Sequence, residues 1–509
     1  MTRRATPERK DFCPNEDKTP SMVELDPWGS ATVESYSKLF EEFGIDEFDS
    51  SEVPEPMDLM RRGIIFGQRD YDFITDAMKS ESDGDYAALS GFMPSGNVHI
   101  GNMMVMRELI WHQRQGADTY FLIADLEAHS ARGKSWEECR EISRDYILSM
   151  IALGFEPDNG TIYRQSENRE LQDLAFELGE QTNFNELRGI YGFDGDTNIA
   201  HMESVLTQAA DILYPQIDEP KPTVIPVGAD QDPHLRLTRS LAKRMRMFGV
   251  TEAYASFEID EDAKAVVSEA LEELGGEATA EELAEDLRGE GEGDLDDDLL
   301  KTLDSGGDEK LRPRTRILSR DAPDDAFDDL VEAIRSEYED VEVYDEHIDV
   351  FGLDDAAEDG IRETVRQTEV DHGGYGFYAP SSIYHRFMTG LTGGKMSSSI
   401  PESHIALTDD PEEGADKVMS SKTGGRETAE EQREKGGEAD DCPVYELYAY
   451  MLAEDDEHAK TVYDECVNGE RLCGGCKSEA ADLMEEFLEE HHEKREEAKE
   501  KVDEFGVEL

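Results

Sequence analysis

Residues 90–102 have the sequence Ser-Gly-Phe-Met-Pro-Ser-Gly-Asn-Val-His-Ile-Gly-Asn. The apolar residues 86–93 predict a buried strand that ends in a Pro/Gly turn, and the pattern of residues 99–115 predicts a helix. The glycines between them allow a tight turn and a close approach of the backbone to a ligand. A helix that begins here offers free N–H groups and the positive end of its dipole to phosphates. The segment therefore predicts a phosphate-binding turn in a strand–turn–helix unit.

Apolar strands and amphipathic helices alternate beyond this unit. Further strands are predicted at residues 119–124, 161–164 and 224–227, and further helices at residues 135–153 and 233–248. This alternation predicts a parallel, doubly wound sheet of the Rossmann type. The fold class that we expect is therefore α/β, followed by a C-terminal α-helical domain.

Composition divides the rest of the chain. Residues 258–378 are rich in Asp, Glu and Gly and contain apolar residues at helical spacing, which predicts an acidic helical module without a catalytic role. We expect five segments: an N-terminal extension (1–80), the first part of the Rossmann domain (81–257), an acidic insertion (258–378), a loop region (379–410) and a helical domain (411–509).

The charge is strongly negative along the whole chain, with 121 Asp and Glu against 50 Lys and Arg, a formal charge of −71. Such self-repulsion opposes compaction in dilute buffer. Molar salt shortens the Debye length to ~3 Å and removes most of this cost. We therefore interpret the excess as a halophilic surface, on which any RNA-binding face would be a local basic exception.

Three classes of protein are disfavoured by the sequence. No apolar run approaches the ~20 residues needed to span a bilayer. The basic start, Met1–Arg4, is followed by no apolar segment of a secretory signal. Six cysteines in 509 residues do not make a disulfide framework. We expect a cytoplasmic protein with no membrane partner.

A second glycine-rich stretch lies about three hundred residues further on. Residues 392–399 have the sequence Thr-Gly-Gly-Lys-Met-Ser-Ser-Ser, which predicts an exposed loop with one lysine and three hydroxyl groups. A lysine on such a loop suits a pyrophosphate leaving group, whose charge develops in the transition state. Either stretch alone is a weak signal, but the two in this order are specific.

Together these stretches resemble the HIGH and KMSKS signatures of the class I aminoacyl-tRNA synthetases. Residues 227–239, with Asp-Gln-Asp-Pro at 230–233, are similar to a signature of the tryptophanyl-tRNA synthetases. The resemblance covers about residues 25–257 and 379–509. Further similar stretches lie at residues 26–28, 61–70, 184–193 and 424–428.

The resemblance implies ATP and Mg²⁺ as cofactors, and His99, Asn102 and Lys395 as catalytic residues. His99 and Asn102, which replaces the second histidine of HIGH, would stabilise the reacting α-phosphate. Asp230 would hold the ribose, Gly101 would let the adenine pack, and Lys395 with the serine hydroxyls would bind the pyrophosphate. The implied ATP site comprises Pro94, Ser95, Gly96, His99, Gly101, Asn102, Gly228, Asp230, Lys395, Met396, Ser397, Ser398 and Ser399.

The resemblance also implies a tryptophan site formed by Glu127, Gln208, Asp211 and Gln231. Glu127 and Gln208 stand where the family binds the amino group, and Gln231 is expected beside them. The string at 208–214 resembles the bacterial tryptophan enzymes, in which the aspartate accepts a hydrogen bond from the indole N–H.

Two alternatives remain open at this point. A tyrosine-specific enzyme of the same class has a similar fold, but tyrosine enzymes of this branch have a Tyr where this chain has Leu89. Archaeal and eukaryotic tryptophan enzymes often have a Tyr there too, and a Gln at the position of Leu122. A non-catalytic, tRNA-binding paralogue is the second alternative, and the presence of His99, Asp230 and Lys395 disfavours it.

Four cysteines are clustered near the C-terminus in a C-x23-C-x6-C-x2-C pattern. Four thiolates can bind zinc or an iron–sulfur cluster, and some tryptophanyl-tRNA synthetases carry a 4Fe-4S cluster on nearly this spacing. The alternative is that they are ordinary small residues in a reducing cytosol. The candidate metal ligands are Cys442, Cys466, Cys473 and Cys476.

The implied reaction has two steps. The tryptophan carboxylate attacks the α-phosphate of ATP, and the resulting adenylate passes its aminoacyl group to tRNA(Trp). The resemblance further implies a homodimer and an anticodon-binding role for residues 411–509.

The charge generates a first prediction. We expect the melting temperature to rise steeply with KCl concentration and to collapse in dilute buffer, because salt screens the repulsion among surface carboxylates. Calorimetry from dilute to molar KCl measures this dependence, and an unchanged melting temperature would refute the halophilic interpretation.

Overall fold

The computed structural model describes most of the chain. The described residues are 40, 44–79, 83–255, 259, 261–275, 278–289, 297–307, 310–394, 396 and 400–504. Lys395 and Ser397–Ser399 lie outside these residues.

The described residues form thirteen strands. They are β1 (Asp46–Glu47), β2 (Ile65–Arg69), β3 (Ala87–Phe92), β4 (Asp118–Ile123), β5 (Gly160–Arg164), β6 (Thr223–Gly228), β7 (Phe248–Ala253), β8 (Ala278–Thr279), β9 (Lys310–Leu311), β10 (Arg314–Ser319), β11 (Val341–Val343), β12 (His347–Phe351) and β13 (Ser381–His385).

The helices are numbered in the same way. They are α1 (Asp58–Arg61), α2 (Asp72–Met78), α3 (Ile100–Arg114), α4 (Asp125–Arg132), α5 (Trp136–Ala152), α6 (Arg169–Glu180), α7 (Phe184–Tyr191), α8 (Ile199–Leu213), α9 (Asp232–Arg244), α10 (Glu261–Glu273), α11 (Ala280–Gly289), α12 (Asp297–Gly306), α13 (Asp324–Glu337), α14 (Asp355–Asp371), α15 (Pro411–Ser420), α16 (Ala429–Lys435), α17 (Pro443–Leu447), α18 (Asp456–Val467) and α19 (Cys473–Glu504).

The main sheet has seven strands in the order β1-β2-β13-β6-β3-β4-β5. The five strands from β13 to β5 are parallel, and β1 and β2 extend the sheet in antiparallel pairing. Helices cover both faces, which confirms the expected doubly wound α/β architecture with a Rossmann-type order. The four strands predicted at residues 86–93, 119–124, 161–164 and 224–227 are all in this sheet, whereas β2 and β13 were not foreseen.

The strand order reverses between β3 and β6, and these two strands pair only at their beginnings. The partners are Ala87 with Thr223 and Ala88 with Val224. Beyond this point β3 continues to Phe92 and β6 continues to Gly228 without pairing to each other. A crevice therefore opens between their carboxyl ends, where ligands bind in open α/β sheets.

The acidic insertion contains two units with separate cores. One consists of α10, α11 and α12 with the small β8–β9 sheet. The other is an antiparallel sheet in the order β11-β12-β10-β7, packed against α13 and α14. The predicted helices are confirmed, but the four-stranded sheet was not foreseen, and it includes β7, which comes before residue 258.

The C-terminal part is helical, as predicted. Its longest helix, α19, packs against α15 and α5, which joins it to the catalytic core. Arg495 on α19 donates hydrogen bonds to the carbonyl oxygen of Asp145 at 2.9 Å and to its carboxylate at 2.8 Å. Within the described residues, no helix is long and apolar enough to cross a membrane.

A buried ion pair in the second sheet generates a prediction. The Asp349 carboxylate is fully buried and accepts hydrogen bonds from Arg316 at 2.7 and 2.8 Å and from Arg314 at 3.1 Å. We expect Asp349→Asn to lower the free energy of unfolding by ~3–5 kcal/mol, because two guanidinium groups lose their buried partner. Urea unfolding in molar KCl measures the loss of stability. Exchange of the amide protons of β10 and β12 shows whether the loss is located in this sheet.

The matched control is Asp340→Asn, because Asp340 pairs with Arg312 at 2.6 Å and both side chains are about half exposed. We expect it to cost less than ~1 kcal/mol. Burial alone would raise the pKa of Asp349, but its hydrogen bonds to Arg316 and Arg314 outweigh this and lower it. Wild-type stabilisation is therefore complete above the ordinary pKa of an aspartate and is lost as pH falls through the lowered one. Equal losses in the two variants would contradict this account.

Candidate active site

The crevice between β3 and β6 opens into a cavity of about 380 Å³. Its walls are the carboxyl ends of both strands, the first turns of α3, α4 and α9, and part of α8. This volume is in the range of small-molecule sites.

His99 caps the helix that borders the cavity. Its Nδ1 accepts a hydrogen bond from the backbone N–H of Gly101 at 3.1 Å, while Oδ1 of Asn102 accepts one from the backbone N–H of His99 at 3.1 Å. Burial, with a smaller contribution from His404, lowers the pKa of His99 to about 3. The ring is therefore neutral, and because Nδ1 accepts, its proton is on Nε2.

Described residues on either side of Lys395 lie close to the capped helix. The backbone N–H of Gly390 donates to the carbonyl of Gly394 at 2.7 Å. Met396 is buried beside Gly101. The ring of His404 packs against His99, with 5.1 Å between centroids.

The end of β6 carries the Asp-Gln-Asp-Pro segment into the cavity. Gly228 is required here, because a Cβ would lie 2.6 Å from the ring of Phe387. Asp230 and Gln231 line the cavity on a single 3-10 turn. The side chain of Asp232, the next residue, does not line the cavity and is fully buried.

Asp232 fixes this turn through three partners. Its carboxylate accepts hydrogen bonds from Tyr384 at 2.7 Å and from Arg69 at 2.9 Å, and it pairs with Arg236 at 2.8 Å. These partners come from β13, β2 and α9 respectively. Asp232 therefore holds the cavity wall in place without lining the cavity.

The inner part of the cavity combines apolar walls with one carboxylate. Leu89 and Leu122 are buried and line it. Asp211, which is 1% exposed, accepts hydrogen bonds from Gln165 at 2.6 Å and from the Tyr163 hydroxyl at 2.9 Å. Burial raises the pKa of Asp211 to about 8, although both hydrogen bonds oppose the shift.

The polar rim of this part contains the remaining expected residues. Glu127 comes from the first turn of α4, and Gln208 comes from α8. The amide of Gln208 donates to Gln231 at 3.3 Å. Carboxylate and amide groups on adjacent walls suit an ammonium group.

The structure brings most of the expected site residues together. Those that line the cavity are Ser95, His99, Asn102, Glu127, Gln208, Asp211, Gly228, Asp230 and Gln231. Pro94, Gly96, Gly101 and Met396 lie around it without lining it. Lys395 and Ser397–Ser399 lie outside the described residues.

Three residues near the cavity were missed by the sequence analysis. Gln165 follows β5 directly, so the rule that located Glu127 at the carboxyl end of β4 applied to it as well. Tyr163 within β5 and His234 in α9 gave no such signal. His234 is buried and lies 2.9 Å from the Tyr191 hydroxyl.

The four cysteines lie apart from this cavity, around a small one of about 20 Å³ that all four line. A Cβ on Gly425 would lie 2.5 Å from Sγ of Cys473, so the chain passes close over this sulfur. Burial raises the pKa of Cys476 to about 11, with Arg471 acting against the shift. In the described part of the chain, no group of three or more His, Cys, Asp or Glu side chains is arranged to hold a metal ion.

The chain is similar to known proteins along most of its length. The family model for class I tRNA synthetases (W and Y) matches residues 81–276 and 355–489. The tryptophan–tRNA ligase 1 of Halobacterium salinarum is 55% identical, with 96% of both chains covered. The tryptophan–tRNA ligase of Methanosarcina acetivorans is 47% identical over 95% of this chain and 99% of its own.

A solved structure agrees with these relatives. The tryptophanyl-tRNA synthetase of Aeropyrum pernix superimposes with a TM-score of 0.63 at 32% identity, and the match covers 94% of this chain and 98% of the other. The expectation of a tryptophan enzyme is therefore confirmed over the tyrosine-specific and non-catalytic alternatives. The chain belongs to the tryptophan–tRNA ligases, a branch of the class I tRNA synthetases.

Proposed function

We propose that this ligase activates tryptophan in the cavity between β3 and β6, with the indole ring between Leu89 and Leu122 and its N–H donated to Asp211. The observation that carries the proposal is a buried carboxylate inside an otherwise apolar end of the cavity. A carboxylate that accepts one N–H there makes a charge-assisted hydrogen bond of ~1.5–3 kcal/mol. Gln165 and Tyr163 orient the carboxylate and leave it further lone pairs for the indole.

The amino and carboxylate groups of tryptophan point towards the rim in this pose. Glu127, Gln208 and Gln231 bind the ammonium group. The substrate carboxylate then faces the start of α3, where it attacks the α-phosphate of ATP. Most of the catalysis comes from holding the two groups in line and neutralising charge, so no general base is needed.

The nucleotide site is proposed at the capped end of α3. His99 donates from Nε2 and Asn102 from its amide nitrogen to the α-phosphate, since their other polar atoms are used in the cap. Asp230 holds the ribose, and Lys395 with the hydroxyls of Ser397–Ser399 binds the departing pyrophosphate.

Mg²⁺ shares the phosphate charge when the nucleotide is bound. The described residues provide no carboxylate cage for it. This agrees with the usual binding of Mg²⁺ through substrate phosphates and one or two carboxylates. We therefore propose that the ion arrives with ATP.

The second step transfers the aminoacyl group to tRNA(Trp). We propose that residues 411–509 bind the anticodon, that residues 1–80 and 258–378 are an extension and an insertion on the catalytic domain, and that the enzyme works as a cytoplasmic homodimer. The family resemblance supports these assignments. A charge of −71 makes the RNA contacts local and basic.

The role of Asp211 generates a prediction. In pyrophosphate–ATP exchange with a panel of amino acids, wild type responds to tryptophan and not to tyrosine. We expect Asp211→Ala to weaken tryptophan activation by about ten- to a hundred-fold, because 1.4 kcal/mol corresponds to about a factor of ten. It also lowers discrimination against phenylalanine, which has no N–H, and leaves the KM for ATP nearly unchanged.

The pH profile and a matched variant separate substrate binding from a structural role. Because the ionised carboxylate is the better acceptor, the wild-type KM for tryptophan falls as pH rises through about 8, and this step disappears in the alanine variant. Tyr163→Phe removes one partner of the carboxylate but keeps its charge, so selectivity persists. If Asp211→Ala melts early but keeps its tryptophan KM and its selectivity, the aspartate is structural.

A metal ion at the four cysteines is a separate proposal. The donor set fits Zn²⁺ or a 4Fe-4S cluster, but the present side-chain arrangement holds neither. A cavity of about 20 Å³ has room for a single ion, whereas an iron–sulfur cluster requires the side chains to move outwards. When bound, the ion would hold α17, α18 and α19 together and would take no part in catalysis.

Metal analysis of protein purified without oxygen tests this proposal. We expect one zinc per chain, or about four irons with a visible absorption band. Cys473→Ser and Cys476→Ser abolish the metal and lower the melting temperature, because metal binding contributes to folding free energy. The control Cys139→Ser replaces a buried cysteine that lies far from the four in the sequence, and this variant keeps the metal. A folded, active and metal-free wild type would refute the site.

A further inference from the structure

A second cavity of about 340 Å³ lies at the amino-terminal ends of the strands of the main sheet. Its walls include Pro222, which precedes β6, and Ser381, which begins β13. The active site lies at the other end of β6, and a six-residue strand is about 20 Å long. The remaining walls come from the second sheet and α14 on one side, and from the end of α9 and the segment of Asp70 and Phe73 on the other, so the cavity is formed where the insertion meets the catalytic core.

The charge of this cavity is opposite to that of the chain. In the whole sequence acidic residues outnumber basic ones by 121 to 50. The cavity walls instead carry five cations against one carboxylate, Asp70, which is itself paired with Arg239. The five cationic residues are Lys243, Arg246, Arg320, Arg362 and Arg366.

Part of this positive charge is compensated by carboxylates that do not line the cavity. Glu369 is fully buried and binds Arg246 at 2.5 Å and the backbone N–H of Phe248 at 2.9 Å. Glu358 pairs with Arg362 at 2.7 Å along the same helix. These carboxylates hold their arginines in position without lining the cavity.

Within the described part of the chain, Arg366 has only one distant carboxylate partner. Its guanidinium lies over the ring of Tyr378 at 3.5 Å, and the carboxylate of the exposed Glu363 is 3.5 Å away. Its Nε is buried and has no hydrogen-bond partner among the residues that the structure describes. Burial lowers the pKa of Arg366, and the neighbouring Arg246 and Arg362 act in the same direction.

Two further cations of the cavity, Lys243 and Arg320, lie near the ends of α9 and β10. Arg320 donates from Nη1 to the backbone carbonyl of Lys243. The negative end of the α9 dipole favours Lys243 near its own terminus, which is a purely structural reason for one cation. Arg320, Arg362 and Arg366 come from other elements, and this dipole does not require them. Even when the three glutamates are counted, the cavity keeps a surplus of two positive charges.

We propose that this cavity binds a small polyphosphate anion, either free pyrophosphate or the phosphates of a nucleotide, at a site distinct from the catalytic one. Guanidinium forks match phosphate oxygens, and the free Nε of Arg366 supplies a donor. Arg246 and Arg366 are largely buried, and buried cations are screened less by molar salt than an open basic surface. RNA backbone would instead require a track of cations along the surface. The helix α9 runs from Asp232 at the active site to Lys243 at this cavity.

Equilibrium dialysis with labelled pyrophosphate tests the proposal on the full chain. All proteins carry Lys395→Ala, because an analogue of tryptophanyl-adenylate fills the amino-acid and AMP positions but leaves the catalytic pyrophosphate position open. The non-hydrolysable analogue is added first, and KCl is held constant. The chain without further substitutions, called the blocked wild type, then retains one pyrophosphate. Arg362→Gln with Arg366→Gln weakens this binding at least tenfold, while the matched surface variant Arg169→Gln with Arg288→Gln does not.

A second double variant guards against a folding defect. Lys243→Gln with Arg320→Gln removes two other cations of the cavity without touching the Tyr378 stack, and it also weakens binding. ATP in place of pyrophosphate distinguishes a nucleotide site from a site for the free anion, and either result supports the proposal. Three outcomes overturn it: no pyrophosphate on the blocked wild type, equal binding of sulfate, or weakening confined to a variant that melts early.

Discussion

The separation of two parallel strands is the constraint on which the rest of the molecule depends. The β3 and β6 strands share only two pairs of residues and then diverge, because the connections after them wind to opposite faces of the sheet. Their freed carboxyl ends point into the crevice and bring the two signature segments to facing walls. The capped start of α3 and the turn held by Asp232 are both consequences of this divergence.

Positively charged side chains are scarce in this protein, so their positions are informative. Several cations connect two parts of the chain: Arg495 joins α19 to α5, and Arg314 and Arg316 connect β10 to Asp349 on β12. High salt weakens exposed pairs but screens buried ones much less. Cohesion under halophilic conditions therefore rests on a few enclosed pairs together with the apolar cores, and not on the many surface ones.

The sequence was informative where local pattern and local structure coincide. Four of the five parallel strands, their helices and the residues at the ends of β3, β4 and β6 could be predicted, because hydrophobic period and topology determine them. The second sheet could not, since β7 was not predicted as a strand and its partners lie more than sixty residues away. Gln165 could have been located by its place directly after β5, whereas the basic cavity depends on long-range packing. The position of Lys395 remains a prediction.

The residues at the inner end of the active site also determine which analogues of tryptophan the enzyme accepts in the proposed pose. In the proposed pose, a methyl group on the indole nitrogen removes the only donor of the ring and leaves the Asp211 carboxylate with its hydrogen bonds from Gln165 and Tyr163 alone. Substituents on the ring carbons meet Leu89 and Leu122 instead, which are flexible hydrocarbons and carry no hydrogen bonds to break. Shortening either leucine would create space without altering the polar contact. The chain therefore separates ring size from ring polarity, so that each can be redesigned independently when non-natural amino acids are to be attached to tRNA.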